Sequence, residues 1–123
     1  MGIGMVLSAR KRPRTAGPVC HQMSCPKYHG GGEGIVSVAS NEVPDLMTRM
    51  TDLALAGDWT AARALHYKLL PLMEGNFIES NPGPVKAAMA IMGLLEEQFR
   101  LPLVPVQEST RVRLKEILGH VAA

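Results

Sequence analysis

Three groups of residues in this 123-residue chain have types that could do chemistry. Cys20, His21, Cys25 and His29 carry sulfur and imidazole ligands of the kind that hold zinc, but their order, Cys-His-x3-Cys-x3-His, matches none of the usual knuckle or finger spacings. We therefore assign no metal. Arg10-Lys11-Arg12-Pro13-Arg14 could contact phosphates along a nucleic acid backbone. No aromatic interleaving or DNA-binding motif accompanies that run, so a solvated basic stretch is the reading and no nucleic acid partner is assigned. His66 and Tyr67 fall in the middle of a helical pattern, where packing or surface roles are expected rather than catalysis. Gly30, Gly31, Gly32 and Gly34 precede a strand pattern; a phosphate loop follows its strand and opens a helix, so these glycines read as a turn.

The elements that would have to position any site follow from the pattern beyond Gly32. Gly34–Ala39 is a β-branched run, Ile35, Val36 and Val38 around Ser37, and predicts a short buried strand. Asn41 is expected to cap a helix whose first turn admits Pro44, because first-turn N–H groups have no intrahelical partner. That helix carries Leu46, Met50, Leu53 and Ala54 on one face and stops at Gly57. Asp58 caps the next, with Ala62, Leu65, Leu69, Leu72 and Met73 at three- and four-residue steps to about Phe77; Trp59 is expected to cover the junction of the two. Asn81-Pro82-Gly83-Pro84 then breaks the chain: each proline fixes φ and lacks an N–H, ending one helix and pre-setting the next, Val85–Gly93. Leu101–Val106, spaced by prolines, must be extended and cannot be a central strand. A last helix from about Glu108 puts Leu114, Ile117, Leu118 and Val121 on one face.

Composition divides the chain. The net charge is only +2, yet all eleven acidic residues lie beyond Gly32, while Arg10, Lys11, Arg12, Arg14 and Lys27 lie before it. Residues 33–123 lack cysteine, which fits a reducing compartment, and no run of eighteen apolar residues offers a membrane span. The N-terminus lacks the order of a secretory signal, so the expected address is cytoplasmic.

Taken together, Gly34-Ile35-Val36-Ser37-Val38-Ala39-Ser40-Asn41, Asn76–Gly93 with its Asn-Pro-Gly-Pro-Val-Lys corner, and Arg100-Leu101-Pro102-Leu103 resemble the C-terminal end of the dihydrodipicolinate synthase family. The resemblance runs from about Gly31 to the C-terminus. It implies an α/β fold: the last βα unit of a TIM (β/α)8 barrel, residues 31–57, followed by a C-terminal helical region, 58–123, the whole stretch being mostly α-helical. A complete barrel takes about 250 residues, so the chain reads as a fragment. Residues 1–30 form an unmatched basic segment, expected to lack order and to be of different origin, as a frameshift or misplaced start codon would leave.

The resemblance also implies the chemistry. In this family a lysine forms a Schiff base with pyruvate, and the resulting enamine attacks aspartate semialdehyde, a lyase reaction of lysine biosynthesis. No cofactor or metal takes part. A lysine that attacks must be uncharged, through burial or a neighbouring cation. The family's lysine sits on an earlier barrel strand, and Lys11, Lys27, Lys68, Lys86 and Lys115 have no such setting, so no catalytic residue is expected here and the fragment alone should be inactive. One position carries over: Val36, where the family has Ile contacting pyruvate largely through its main chain. Ser40 and Asn41 would lie near the barrel mouth without a chemical role. Relatives commonly form tetramers, which implies a homo-oligomer, and the alternative to an enzyme fragment is a helical assembly module that pairs with a separate N-terminal part or with intact subunits.

Overall fold

The computed structural model describes residues 34–122; the basic run, the cysteines and the segment 1–30 lie outside the described residues. Residues 34–37 form neither helix nor strand and lead into a single 3₁₀ turn, Ala39–Asn41. Four helices follow: α1, Pro44–Ala56; α2, Trp59–Gly75; α3, Gly83–Ile91; and α4, Glu108–Ala122.

The expected strand at Gly34–Ala39 is the first correction. Among the described residues no β-strand forms, and Ala39 belongs to the 3₁₀ turn. A strand exists only where a neighbour accepts its ladder hydrogen bonds, and the described residues supply none. The period of two survives in burial: Ile35, Ser37 and Ala39 are buried, and the residues between them are half-buried.

Helix α1 starts where Pro44 allows but is not capped by Asn41, a second correction. The residue before the helix is Val43, which makes no side-chain cap. Asn41 Nδ2 instead donates to the Val38 carbonyl at 2.8 Å, closing the 3₁₀ turn. The cap position belongs to the residue next to the first helical one, and Asn41 is too far upstream to serve it. Met47, Met50, Thr51 and Ala54 are the buried side of α1, and Gly57 ends it with φ 85°, a left-handed conformation its lack of a Cβ permits. Asp58 Oδ1 accepts the Ala61 N–H at 3.1 Å, as a capping aspartate should.

Helix α2 passes through Pro71, which has no N–H to give to the Tyr67 carbonyl. Pro71 and Tyr67 both lie on the exposed side, where water can take that carbonyl's place. The opposite side is a continuous buried stripe of Ala62, His66, Leu69, Leu72 and Met73.

The chain divides into two compact units, one ending at Lys68 and the other beginning at Leu69. The second has its own core: Ala87 and Ala88 of α3 against Leu114 of α4 and Val106, flanked by Ile91 and Leu118. The small side chains of α3 let α4 approach closely, and a Cβ placed on Gly83 would stand 3.2 Å from Val106 Cγ1.

Candidate functional site

The one residue that the sequence offers as a substrate contact, Val36, lies in the irregular stretch ahead of the 3₁₀ turn, with a half-buried side chain. The turn is held by Asn41 N–H on the Val38 carbonyl at 3.0 Å, and by Glu42 and Val43 N–H on the Ala39 carbonyl at 3.1 and 3.0 Å. Among the described residues no main-chain hydrogen bond engages 34–37. Among the described residues the N–H and C=O of Val36 have no partner. Ser40 and Glu42 are buried beside the turn.

None of the described lysines has the environment of an amine nucleophile. Lys68 and Lys115 are exposed on α2 and α4. Lys86 donates from Nζ to the Gln98 carbonyl and lies 4.7 Å from the centre of the Phe99 ring, an arrangement that uses its positive charge. Lys11 and Lys27 lie outside the described residues.

His66 is the side chain whose place the sequence left open between surface and packing. It is buried on the α2 stripe, its ring centroid 5.7 Å from that of Tyr67, and its Nδ1 makes no hydrogen bond. Burial holds its pKa below the ordinary 6.5, so it is a neutral core residue. The register gave the signal: His66 is four residues after Ala62 and three before Leu69, on the apolar stripe.

An open depression of about 500 Å³ on α1 is lined by Asp45, Thr48, Arg49, Asp52, Leu53 and Ala56. All six come from a single helix face, whereas an active site needs groups converging from several elements. Among the described residues no group of three His, Cys, Asp or Glu side chains could hold a metal, and no helix is long and apolar enough to cross a membrane. The Cys20, His21, Cys25 and His29 set lies outside the described residues.

Sequence reasoning missed three polar ties of the second unit. Arg111 pairs with Glu97, Glu79 Oε1 accepts the Gln107 N–H at 3.1 Å just before α4, and Lys86 reaches Gln98. All three link residues far apart in the chain, and no local pattern announces them.

A segment without regular structure, a helix that ends at left-handed Gly57 and then further helices are the order in which a βα barrel would end. The comparisons identify which. The sequence model of the Dihydrodipicolinate synthetase family matches residues 17–121, and the chain belongs to that family. The match begins upstream of Gly31. The 4-hydroxy-tetrahydrodipicolinate synthase of Acidobacterium capsulatum is 52% identical over 91 residues, covering 74% of this chain and 30% of that protein. The crystal structure of dihydrodipicolinate synthase from Thermotoga maritima superposes with a TM-score of 0.79 at 39% identity, over 80% of this chain and 34% of that one. The chloride-inhibited dihydrodipicolinate synthase from Acinetobacter baumannii, complexed with pyruvate, gives a TM-score of 0.77 at 35% identity, over 80% and 34%. The chain thus spans about a third of the length of these relatives. Its fold is the last βα unit of a TIM barrel with the helices that follow.

Proposed function

We propose that this chain is the C-terminal part of a lyase that condenses pyruvate with aspartate semialdehyde in lysine biosynthesis, with the Schiff-base lysine supplied by a barrel strand outside it. The carrying observation is the 52% identity to a 4-hydroxy-tetrahydrodipicolinate synthase over most of the described residues. Val36 supports the reading: its main-chain groups are unengaged among the described residues, and Val in place of Ile leaves a main-chain contact to pyruvate unchanged. Active sites of such barrels gather at the C-terminal ends of the strands, the end of 34–39 from which Ser40 and Asn41 emerge. Assembly into a homotetramer and a cytoplasmic location belong to the same reading.

Two experiments test it. Borohydride reduction of the chain with pyruvate should trap no adduct on any of its lysines, and a trapped adduct would overturn the assignment. A chimera in which residues 31–123 replace the matching third of the Acidobacterium capsulatum synthase should trap pyruvate and condense it with aspartate semialdehyde. A folded chimera that does neither would overturn the reading. The second reading, an assembly module, is favoured by the core that residues 69–122 possess on their own.

A further inference from the structure

The connection between α3 and α4 is fastened to those helices at one place, and two cations do the fastening. Among the described residues, the main-chain N–H groups that bond within it do so locally: Gln98 to the Glu96 carbonyl at 2.9 Å, and Leu103 to the Arg100 carbonyl at 3.0 Å. Its polar ties to the helices fall on three consecutive residues. Arg111 of α4 pairs with the Glu97 carboxylate, while Lys86 of α3 donates to the Gln98 carbonyl and lies 4.7 Å from the centre of the Phe99 ring. Beyond them every residue from Arg100 to Pro105 is exposed. The next side chain to enter the α3–α4 core is Val106.

The two ends of the connection differ. Gly93 has φ 74° and open space where a Cβ would stand, so rotation there meets no neighbour. At the other end Val106 is buried and Glu79 accepts the Gln107 N–H at 3.1 Å, which fixes the chain where α4 begins. We propose that residues 94–105 form a strap that opens as one piece about Gly93 while the α3–α4 core stays folded, and that Lys86 and Arg111 are the latch that holds it shut. Opening breaks the two cationic ties but removes nothing from the cluster of Ala87, Ala88, Leu114 and Val106, so it lies well below unfolding of the unit in free energy. The two halves of the latch are unequal. Glu97 is mostly buried, which makes its pairing with Arg111 the stronger tie, whereas Lys86 reaches Gln98 at an exposed site. The inference concerns residues 69–122 alone and does not rest on the family reading.

The test is the rate at which trypsin cuts the Arg100–Leu101 bond of the full chain, followed by mass spectrometry across urea concentrations below the unfolding transition. Arg100 is exposed in the closed strap, but a protease must draw several flanking residues into its cleft, so the rate follows the population of open strap. Cleavage should vary little with urea, because opening exposes little surface. Arg111→Met should speed it at least about tenfold and Lys86→Met about two- to fivefold, and both together by about the product, since two ties hold one opening step. Glu97→Gln removes the same ion pair from the other side and should act like Arg111→Met, which keeps the test intact if the arginine variant folds poorly. Cleavage that rises with the full urea slope of unfolding would mean that the bond is reached only when the core unfolds, and would overturn the proposal. So would rates indifferent to all three substitutions, or a double variant cut no faster than Arg111→Met alone.

Discussion

Two irregular stretches of this chain face the same difficulty, main-chain polar groups outside any helix, and meet it differently. Residues 92–107, between α3 and α4, carry Pro102 and Pro105, which have no N–H to satisfy. Backbone carbonyls take the N–H groups of Met92, Gly93, Leu94, Gln98 and Leu103, side chains reach two further groups, Lys86 the Gln98 carbonyl and Glu79 the Gln107 N–H, and Arg111 pairs with the Glu97 carboxylate. Residues 34–38 contain no proline, and among the described residues no side chain reaches their N–H groups. The first stretch is finished by its own neighbourhood. The second is written for a sheet, and its hydrogen bonds wait for other strands.

The sharpest way to break this contrast is at the core on which the first stretch depends. Leu114→Ala removes a fully buried side chain packed with Ala87, Ala88 and Val106, and should cost residues 69–122 about 2–5 kcal/mol in urea unfolding. A loss below about 1 kcal/mol would mean that this unit lacks a packed core of its own. Next comes Arg111→Met. Glu97 is mostly buried and its Oε1 already lacks a hydrogen bond, so removing its cation should cost about 1–3 kcal/mol, much of it recovered by Glu97→Gln in the same chain. Smaller still is Lys86→Met, which removes one main-chain tie and the contact with Phe99 at a partly exposed site. It should cost less than about 1 kcal/mol and speed amide exchange near Gln98 while leaving 34–38 unaffected.

A last prediction concerns the unit that ends at Lys68. His66 is held below its ordinary pKa of 6.5 by burial, so folding favours its neutral form. The stability this brings is complete above pH 6.5 and declines as pH falls below it, because the unfolded chain then binds a proton that the folded chain resists. His66→Leu should flatten stability across that window in parallel unfolding curves, and an unchanged slope would show that His66 is not the titrating group.

Most of the helical architecture was legible because it is local. Gly57 ends α1, Asp58 caps α2, and Pro82 with Pro84 turns the corner into α3, each through a constraint carried by the residue itself. Asn41 misled because capping depends on position to within one residue, and its amide found the Val38 carbonyl first. The ties of Glu79, Lys86 and Arg111 were invisible because they span 28, 12 and 14 residues of chain. The strand was legible as a pattern but not as a structure, since a strand is defined by its neighbours. The candidate site shares that property. Catalytic groups in such barrels come from the ends of several strands, so one strand alone assembles no site.

The central claim, that residues 34–38 carry the sequence of a strand without its pairing among the described residues, is tested most directly by residue-resolved amide hydrogen exchange on the monomeric chain. Amides of residues 35–38 should exchange at nearly the rate of an unstructured peptide, while those of Ala88 in α3 and Leu114 in α4 are strongly protected. Protection of 35–38 in the monomer comparable to that of α4 would contradict the account, because it would mean that the chain already supplies the partners this strand is said to lack.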